Sequence, residues 1–110
     1  MFSIEVINKI YDMWEKRFKM KRIRIDPIDE MTRTDNSVFE YKGYVLKMNH
    51  LQMHPDSGMY LIEIADSIEQ ARHNVFEDSY TYDDGNYPLS ELLSEMEADI
   101  ISELGDVETD

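Results

Sequence analysis

The sequence predicts an α+β fold of two layers, in which an antiparallel meander sheet of three to four strands carries the N- and C-terminal helices on one face. Apolar residues recur at every third or fourth position near both ends of the chain, which indicates two amphipathic helices. Between them, short runs of strand-forming residues are separated by turn signals, which is typical of antiparallel strands. Helices that flank such strands in the sequence commonly cover one face of the sheet.

The two terminal helices follow from their apolar stripes. The first is predicted over residues 3–19, with Ser3 as its N-cap. Its stripe consists of Ile4, Ile7, Ile10, Tyr11, Trp14 and Phe18. The last helix is predicted to begin after Pro88 and to end at Gly105, a residue type that commonly terminates helices. Its stripe consists of Leu89, Leu92, Leu93, Met96, Ile100 and Leu104.

The strands follow from runs of β-branched and aromatic residues. Residues 38–41 and 44–48 are rich in strand formers, and the Lys42-Gly43 pair between them predicts a two-residue hairpin turn. Residues 59–64 predict a third strand, which extends the hairpin into a meander. The segment 79–82 precedes a cluster of turn-forming residues and predicts a short fourth strand.

Two shorter elements complete the prediction. Ile23 and Ile25 alternate with basic residues as in a short strand, until Pro27 ends the alternation. Asp66 is followed three residues later by Glu69, a spacing that resembles a capping box and predicts the start of a short helix at Asp66.

Length and composition limit the class of protein. A chain of 110 residues has the size of one domain, so residues 1–110 are predicted to form a single folding unit with residues 105–110 as a frayed tail. The absence of Cys excludes disulfides and thiolate zinc sites and fits a reducing compartment. No basic segment precedes an apolar stretch at the N-terminus, and no apolar run reaches the length of a membrane span. We therefore expect a cytoplasmic protein that does not associate with membranes.

Charge is distributed very unevenly along the chain. The chain carries 11 Lys and Arg against 24 Asp and Glu, a formal net charge of −13. Residues 1–25 hold seven basic and three acidic side chains, net +4, so residues 26–110 carry a net charge of −17. No Lys or Arg follows Arg72. This charge argues against direct binding to nucleic acid, because phosphates would be repelled, and favours a basic partner.

A row of carboxylates on the last helix is the candidate site for that partner. Residues spaced four apart line one edge of a helix, with a rise of about 6 Å between neighbours. The four are Glu91, Glu95, Asp99 and Glu103. Tyrosines within an acidic loop are suitable interface anchors, so five residues just before the helix join the prediction. These are Tyr80, Tyr82, Asp83, Asp84 and Tyr87. The alternative interpretation is a solvated helix face together with ordinary packing of the tyrosines.

An uninterrupted row of carboxylates can imitate the phosphates of nucleic acid and occupy a basic groove on another protein. The leading hypothesis is therefore a non-enzymatic binding protein, such as an inhibitor or nucleic-acid mimic, whose basic partner is a nucleic-acid-handling protein or a toxin. Its small size, acidity and lack of Cys are similar to those of small phage or bacterial inhibitors that mimic nucleic acid.

The second hypothesis is a self-associating structural domain, in which the basic first helix of one copy meets the acidic half of another in a homodimer. The same basic segment can instead pair with the acidic half of its own chain. Met13 and Met20 lie off the apolar stripe of this helix and would mark a contact patch if they were exposed.

The third hypothesis is a small hydrolase or metal-binding protein. His50 and His54, with Asp56, have the spacing of metal ligands on a helix, but they are predicted to lie in a loop, where that spacing has no geometric meaning. The four glycines are isolated, so the chain has no phosphate-binding loop, and the serines show no nucleophile-elbow pattern. We expect no cofactor, and no residue is predicted to be catalytic or to bind metal.

Overall fold

The computed structural model describes residues 4–25, 37–54, 57–83 and 88–107, and within them it shows a five-stranded antiparallel sheet with helices. The strands are β1 (Lys21–Arg24), β2 (Ser37–Tyr41), β3 (Tyr44–His54), β4 (Ser57–Ala65) and β5 (Asp78–Asp83). The helices are α1 (Ile4–Asp12), which continues into a π-helical segment (Met13–Arg17), α2 (Ile68–Arg72) and α3 (Leu89–Leu104). The predicted α+β meander is confirmed, with five strands where three to four were expected.

Each strand pairs with its neighbour in the sequence, so the strand order is β1-β2-β3-β4-β5. The β2–β3 hairpin turns at Lys42 and Gly43, whose φ angles are 51° and 88°. Two successive residues with positive φ are the signature of a type I′ turn, whose twist matches that of the strands it joins. The predicted two-residue turn is therefore present, and its second position favours glycine.

The sheet has a different core on each face, because side chains alternate along each strand. The larger core lies between the sheet and the layer formed by α1, its π-helical extension and α3. Its fully enclosed members include Ile10, Trp14, Phe18, Phe39, Leu46, Tyr60, Ile62, Ile64 and Met96. A smaller core on the opposite face contains Ala71 of α2. Its other buried members are Ile25, Val38, Val45 and Ala65.

The first helix differs from the predicted single helix over residues 3–19. After Asp12 the backbone widens, and the amide of Phe18 donates to the carbonyl of Met13 at 3.3 Å, five residues back. Lys19 then adopts a φ of 58°, which ends the helix. Met20 is buried and Met13 packs against the core, so the exposure that a methionine contact patch would require is not present.

The short helix α2 begins one residue later than predicted. The Ser67 hydroxyl accepts a hydrogen bond from the Gln70 amide at 3.1 Å, and the Gln70 side chain accepts one from the Asp66 amide at 3.1 Å. Ser67 is therefore the N-cap, because its extended backbone aims the hydroxyl at the first free amides. Glu69 instead bonds to Arg72 and His73 on the surface of the helix.

Strand β3 extends through the region that was predicted to be a loop. It includes His50 and His54, which pair in register with Tyr60 and Ser57 of β4. Residues four apart in a strand are about 13 Å apart, so the helical spacing of metal ligands does not apply. The third residue of that trio, Asp56, lies outside the described residues.

No helix in the described part of the chain combines the length and the apolar character needed to cross a membrane.

Candidate partner-binding surface

Helix α3 is fixed on the sheet by its apolar stripe. Leu92, Met96, Ile100 and Leu104 are all buried in the larger core. Successive residues of a helix are rotated by about 100°, so the residues next to the buried stripe lie on two flanks of α3, one on each side of the face that contacts the sheet. The predicted acidic row, Glu91, Glu95, Asp99 and Glu103, follows one flank, and Glu97 lies on the other.

Two tyrosines of β5 bind the acidic row directly. The Tyr82 hydroxyl donates to Oδ2 of Asp99 at 2.6 Å, and the Tyr80 hydroxyl donates to Oε2 of Glu103 at 2.9 Å. Tyr82 thus lies two residues after Tyr80 in β5, whereas its partner Asp99 lies four residues before Glu103 in α3. The helix therefore runs antiparallel to β5, with the acidic row alongside the tyrosine-bearing side of the strand.

Burial and charge extend the pH range over which both tyrosines stay neutral. Burial, followed by the hydrogen bond to Glu103, raises the pKa of Tyr80 to about 12. Burial also raises the pKa of Tyr82, and the hydrogen bond to Asp99 and the charges of Asp99 and Glu95 raise it further. Each hydroxyl is therefore a donor at neutral pH. It orients one carboxylate, whose second oxygen is left for another donor.

The two flanks of α3 differ in charge. On the Glu97 flank, Arg17 of the π-helical segment bonds to Glu97 at 3.1 Å and to both oxygens of Asp106 at 2.8 and 3.0 Å. On the other flank, no Lys or Arg within the described ranges forms an ion pair with Glu91, Glu95, Asp99 or Glu103. Among the described residues, one flank of the helix thus has an ion pair with a cation of the chain itself, and the acidic row on the other flank has none.

The paired flank explains part of the charge distribution in the sequence. The contact of Arg17 with Asp106 raises the pKa of Arg17 and lowers that of Asp106, chiefly through their hydrogen bonds. Lys42 also donates to the Asp106 carbonyl, and Val107 packs against the larger core. The predicted pairing between the basic segment and the chain's own acidic half is therefore present at Arg17.

A second basic residue of the first segment, Arg22, also has partners in the same chain. Arg22 of β1 donates to Glu15 at 2.9 Å. Its guanidinium lies 5.0 Å from the centroid of the Phe39 ring and 5.2 Å from that of Tyr11. This residue covers the aromatic edge of the larger core as well as carrying charge.

The predicted residues do not all share one surface. Tyr80, Tyr82, Asp99 and Glu103 are brought together, and Glu91 and Glu95 are exposed farther along the same helix flank. Asp83 is in β5 but pairs with Met59, and strand alternation places its side chain on the opposite face from Tyr82. Asp83 therefore lies on the face of the sheet away from the helix row. Asp84 and Tyr87 lie outside the described residues.

One residue of this surface was missed in the sequence. Asp78 begins β5 and lies on the same side of the strand as Tyr80 and Tyr82, because the three are two residues apart. It is exposed, and its charge contributes to the raised pKa of Tyr80. The two-residue alternation Asp78, Tyr80, Tyr82 was the signal that could have identified it. We call Asp78, Glu91, Glu95, Asp99 and Glu103, with the two tyrosines, the acidic surface.

Strand β5 is the last strand of the sheet. It pairs with β4 over residues 78–83, and no other strand in the described ranges pairs with it. Among the described residues, the other side of β5 over residues 78–82 is therefore an open sheet edge, which lies next to the acidic surface.

Within the described ranges, no group of three His, Asp or Glu side chains converges as metal ligands would. Comparisons of the chain with family models, with curated proteins and with solved structures found no match in any of the three. The fold and the surface together therefore define the class: a two-layer α+β domain with an anionic helix flank beside an open sheet edge.

Proposed function

We propose that this protein is a non-enzymatic binding protein whose acidic surface engages a basic polypeptide. The observation that carries the proposal is the contrast between the two flanks of α3. Arg17 forms ion pairs with Glu97 on one flank and with Asp106 just beyond the helix, whereas the described residues provide no cation for the acidic row on the other flank. Acidic side chains kept only for solubility would not need positioning by tyrosine hydroxyls.

The chemistry of the surface suits cationic side chains. Tyr82 holds Asp99, and Tyr80 holds Glu103, so two carboxylates are oriented before a partner arrives. Lys and Arg donate charge-assisted hydrogen bonds to such oxygens, and a concentrated negative field accelerates their approach. The same field repels nucleic acid. We therefore propose a basic protein as the partner, of the kind that handles nucleic acid or acts as a toxin, with the acidic row in the place of phosphates.

The alternative of self-association has less support. Arg17 and Arg22, two cations of the basic segment, already bind carboxylates of their own chain. A second copy would also approach with the same net charge of −13. The absence of Cys favours the cytoplasm as the compartment of the proposed interaction.

Charge reversal at Glu95 tests the proposal. Glu95 is exposed and lies in the centre of the acidic row. The affinity of a lysine-rich peptide should fall about tenfold in the Glu95→Lys variant, because one attraction is lost and one repulsion is gained. The measurement is isothermal titration calorimetry at low and moderate salt.

The matched control is Asp12→Lys, an exposed carboxylate on α1 whose reversal changes the net charge equally. Its effect at moderate salt should stay within about threefold, because the first helical segment lies on the Glu97 side of α3 and salt screens charges that the peptide does not contact. Equal losses in the two variants would show that the peptide responds only to overall charge, and the proposal would be withdrawn.

A further inference from the structure

We infer that the basic partner docks as an added β-strand on the open edge of β5, with cationic side chains at alternate positions facing the acidic row. This inference rests on the proposed function and specifies its mode of recognition. It depends on three features of the described residues: the side of β5 over residues 78–82 with which no described strand pairs, the position of the acidic row along that edge, and the matching repeat distances of strand and helix.

The open edge offers a row of backbone donors and acceptors. β5 pairs with β4 along its whole length, Asp78–Asp83, through six register pairs. A strand hydrogen-bonded on one side presents its other backbone groups outward, so that an extended peptide can be added. The residues of β5 are short or aromatic, and none of them carries a positive charge.

The position of α3 places the acidic row on the side of this edge. Tyr11, Trp14 and Phe18 of the first helical segment contact the rings of Phe39 and Tyr41 in β2. The hydroxyls of β5 contact α3. The flank of α3 that carries Glu97 faces Arg17 and the first helical segment, so the opposite flank, with the acidic row, faces the open edge.

The spacing of the carboxylates along α3 matches the spacing of side chains along a β-strand. Carboxylates four residues apart on α3 rise by about 6 Å, and side chains two residues apart on a strand are separated by about 6.6 Å. The Tyr80–Glu103 and Tyr82–Asp99 pairs already show this correspondence between β5 and α3. A strand added about 4.8 Å beyond β5 would repeat it, with each helix-facing Lys or Arg beside one carboxylate of the row.

The acidic side chains near the edge of β5 determine which kind of strand can be added there. Native proteins commonly protect open edges with charged side chains, and an edge whose charged residues are all acidic repels further acidic chains. A second copy of this protein carries a net charge of −13 and is repelled as a whole. A basic extended segment is attracted by the same carboxylates, so we commit to this occupant.

Two peptides of identical charge test the inference on the full chain. One has lysine at alternate positions between threonine and valine, and the other has the same sequence with N-methyl groups on the backbone amides that would face β5. The unmodified peptide should bind at least about tenfold more tightly, because N-methylation removes two or more backbone hydrogen bonds. Amide hydrogen exchange should also show new protection at alternate residues of β5 when the unmodified peptide is bound.

The outcomes separate the two proposals. Equal binding of both peptides, with unchanged exchange in β5, would overturn strand addition and leave the electrostatic function standing. Failure of both peptides to bind would overturn the proposed function as well. Protection of β5 that rises with protein concentration in the absence of peptide would identify a second copy as the occupant and also overturn the inference.

Discussion

Replacing Tyr82 with Phe isolates the hydrogen bond that fixes the centre of the acidic surface. The Tyr82 side chain is 5% exposed, and its hydroxyl donates to the half-buried Asp99 at 2.6 Å. A hydrogen bond to a charged group contributes about 1.5–3 kcal/mol, and the substitution leaves the carboxylate without this donor. We expect Tyr82→Phe to lower the free energy of unfolding by about 2 kcal/mol, which corresponds to a fall of about 8 °C in Tm.

Tyr80→Phe is the matched control for this prediction. Its hydroxyl binds the exposed Glu103, so its removal should cost about 0.5 kcal/mol, at the low end for a hydrogen bond. Urea denaturation followed by tryptophan fluorescence measures both variants. Trp14 is the single tryptophan and is fully buried against Phe39. Equal costs for the two variants, or no cost for Tyr82→Phe, would refute the view that Tyr82 is held more firmly than Tyr80.

Three further predictions concern pH, charge pairing and the hairpin. Because the folded state raises the pKa of Tyr82 above its unfolded value of about 10, its contribution is complete below pH 10 and is lost as the pH rises further. Above pH 10, the free energy of unfolding of the wild type should therefore fall more steeply with pH than that of Tyr82→Phe. The difference between the two slopes should be about 1.4 kcal/mol per pH unit, as measured by urea denaturation at several pH values. Parallel slopes would contradict this prediction. Arg17→Ala should return the lowered pKa of Asp106 toward its ordinary value, as followed by carboxylate NMR titration, and an unchanged pKa would show that the pairing is absent in solution. Gly43→Ala should lower the free energy of unfolding by about 1 kcal/mol in urea denaturation, because the φ of 88° is unfavourable for a residue with a Cβ. Steric crowding does not contribute, since no atom lies within 4 Å of a Cβ at this position. An unchanged stability would contradict the type I′ turn.

The parts of the fold that depend on local chemistry could be predicted from the sequence. The apolar stripe of α3 and the Lys42-Gly43 turn carry their own signals, and both are present in the structure. The fourth predicted strand, residues 79–82, is also present as β5. In each case the short-range pattern and the tertiary environment favour the same structure.

The parts of the fold that depend on tertiary contacts could not be predicted from the sequence. Nothing local signals the π-helical segment after Asp12. The extension of β3 through His50 and His54 arises from pairing with β4, which outweighs the polar composition of that stretch. The start of α2 was displaced by one residue because Asp66 and Ser67 are both good N-caps and the backbone conformation decides between them.

The candidate site shows the same division. The helical spacing of four was enough to place Glu91, Glu95, Asp99 and Glu103 on one flank. The tyrosines contact that flank from far away in the sequence: Tyr82 and Asp99 are separated by 17 positions, and Tyr80 and Glu103 by 23. These contacts depend on how α3 lies across β5. No sequence pattern shows that alignment. Arg17 pairs with Glu97, 80 positions away, and with Asp106, 89 positions away, and no sequence pattern shows these contacts either.

The central claim is that a basic polypeptide binds the flank of α3 that faces the open edge of β5. The most direct test is an NMR titration of the full chain with the alternating lysine peptide, which follows backbone amides and the side-chain carboxylates. The account predicts that the largest shifts occur in β5 and at Glu95, Asp99 and Glu103, and that Glu97 on the opposite flank shifts little. Shifts spread evenly over all exposed carboxylates, or concentrated on the Glu97 flank, would contradict it.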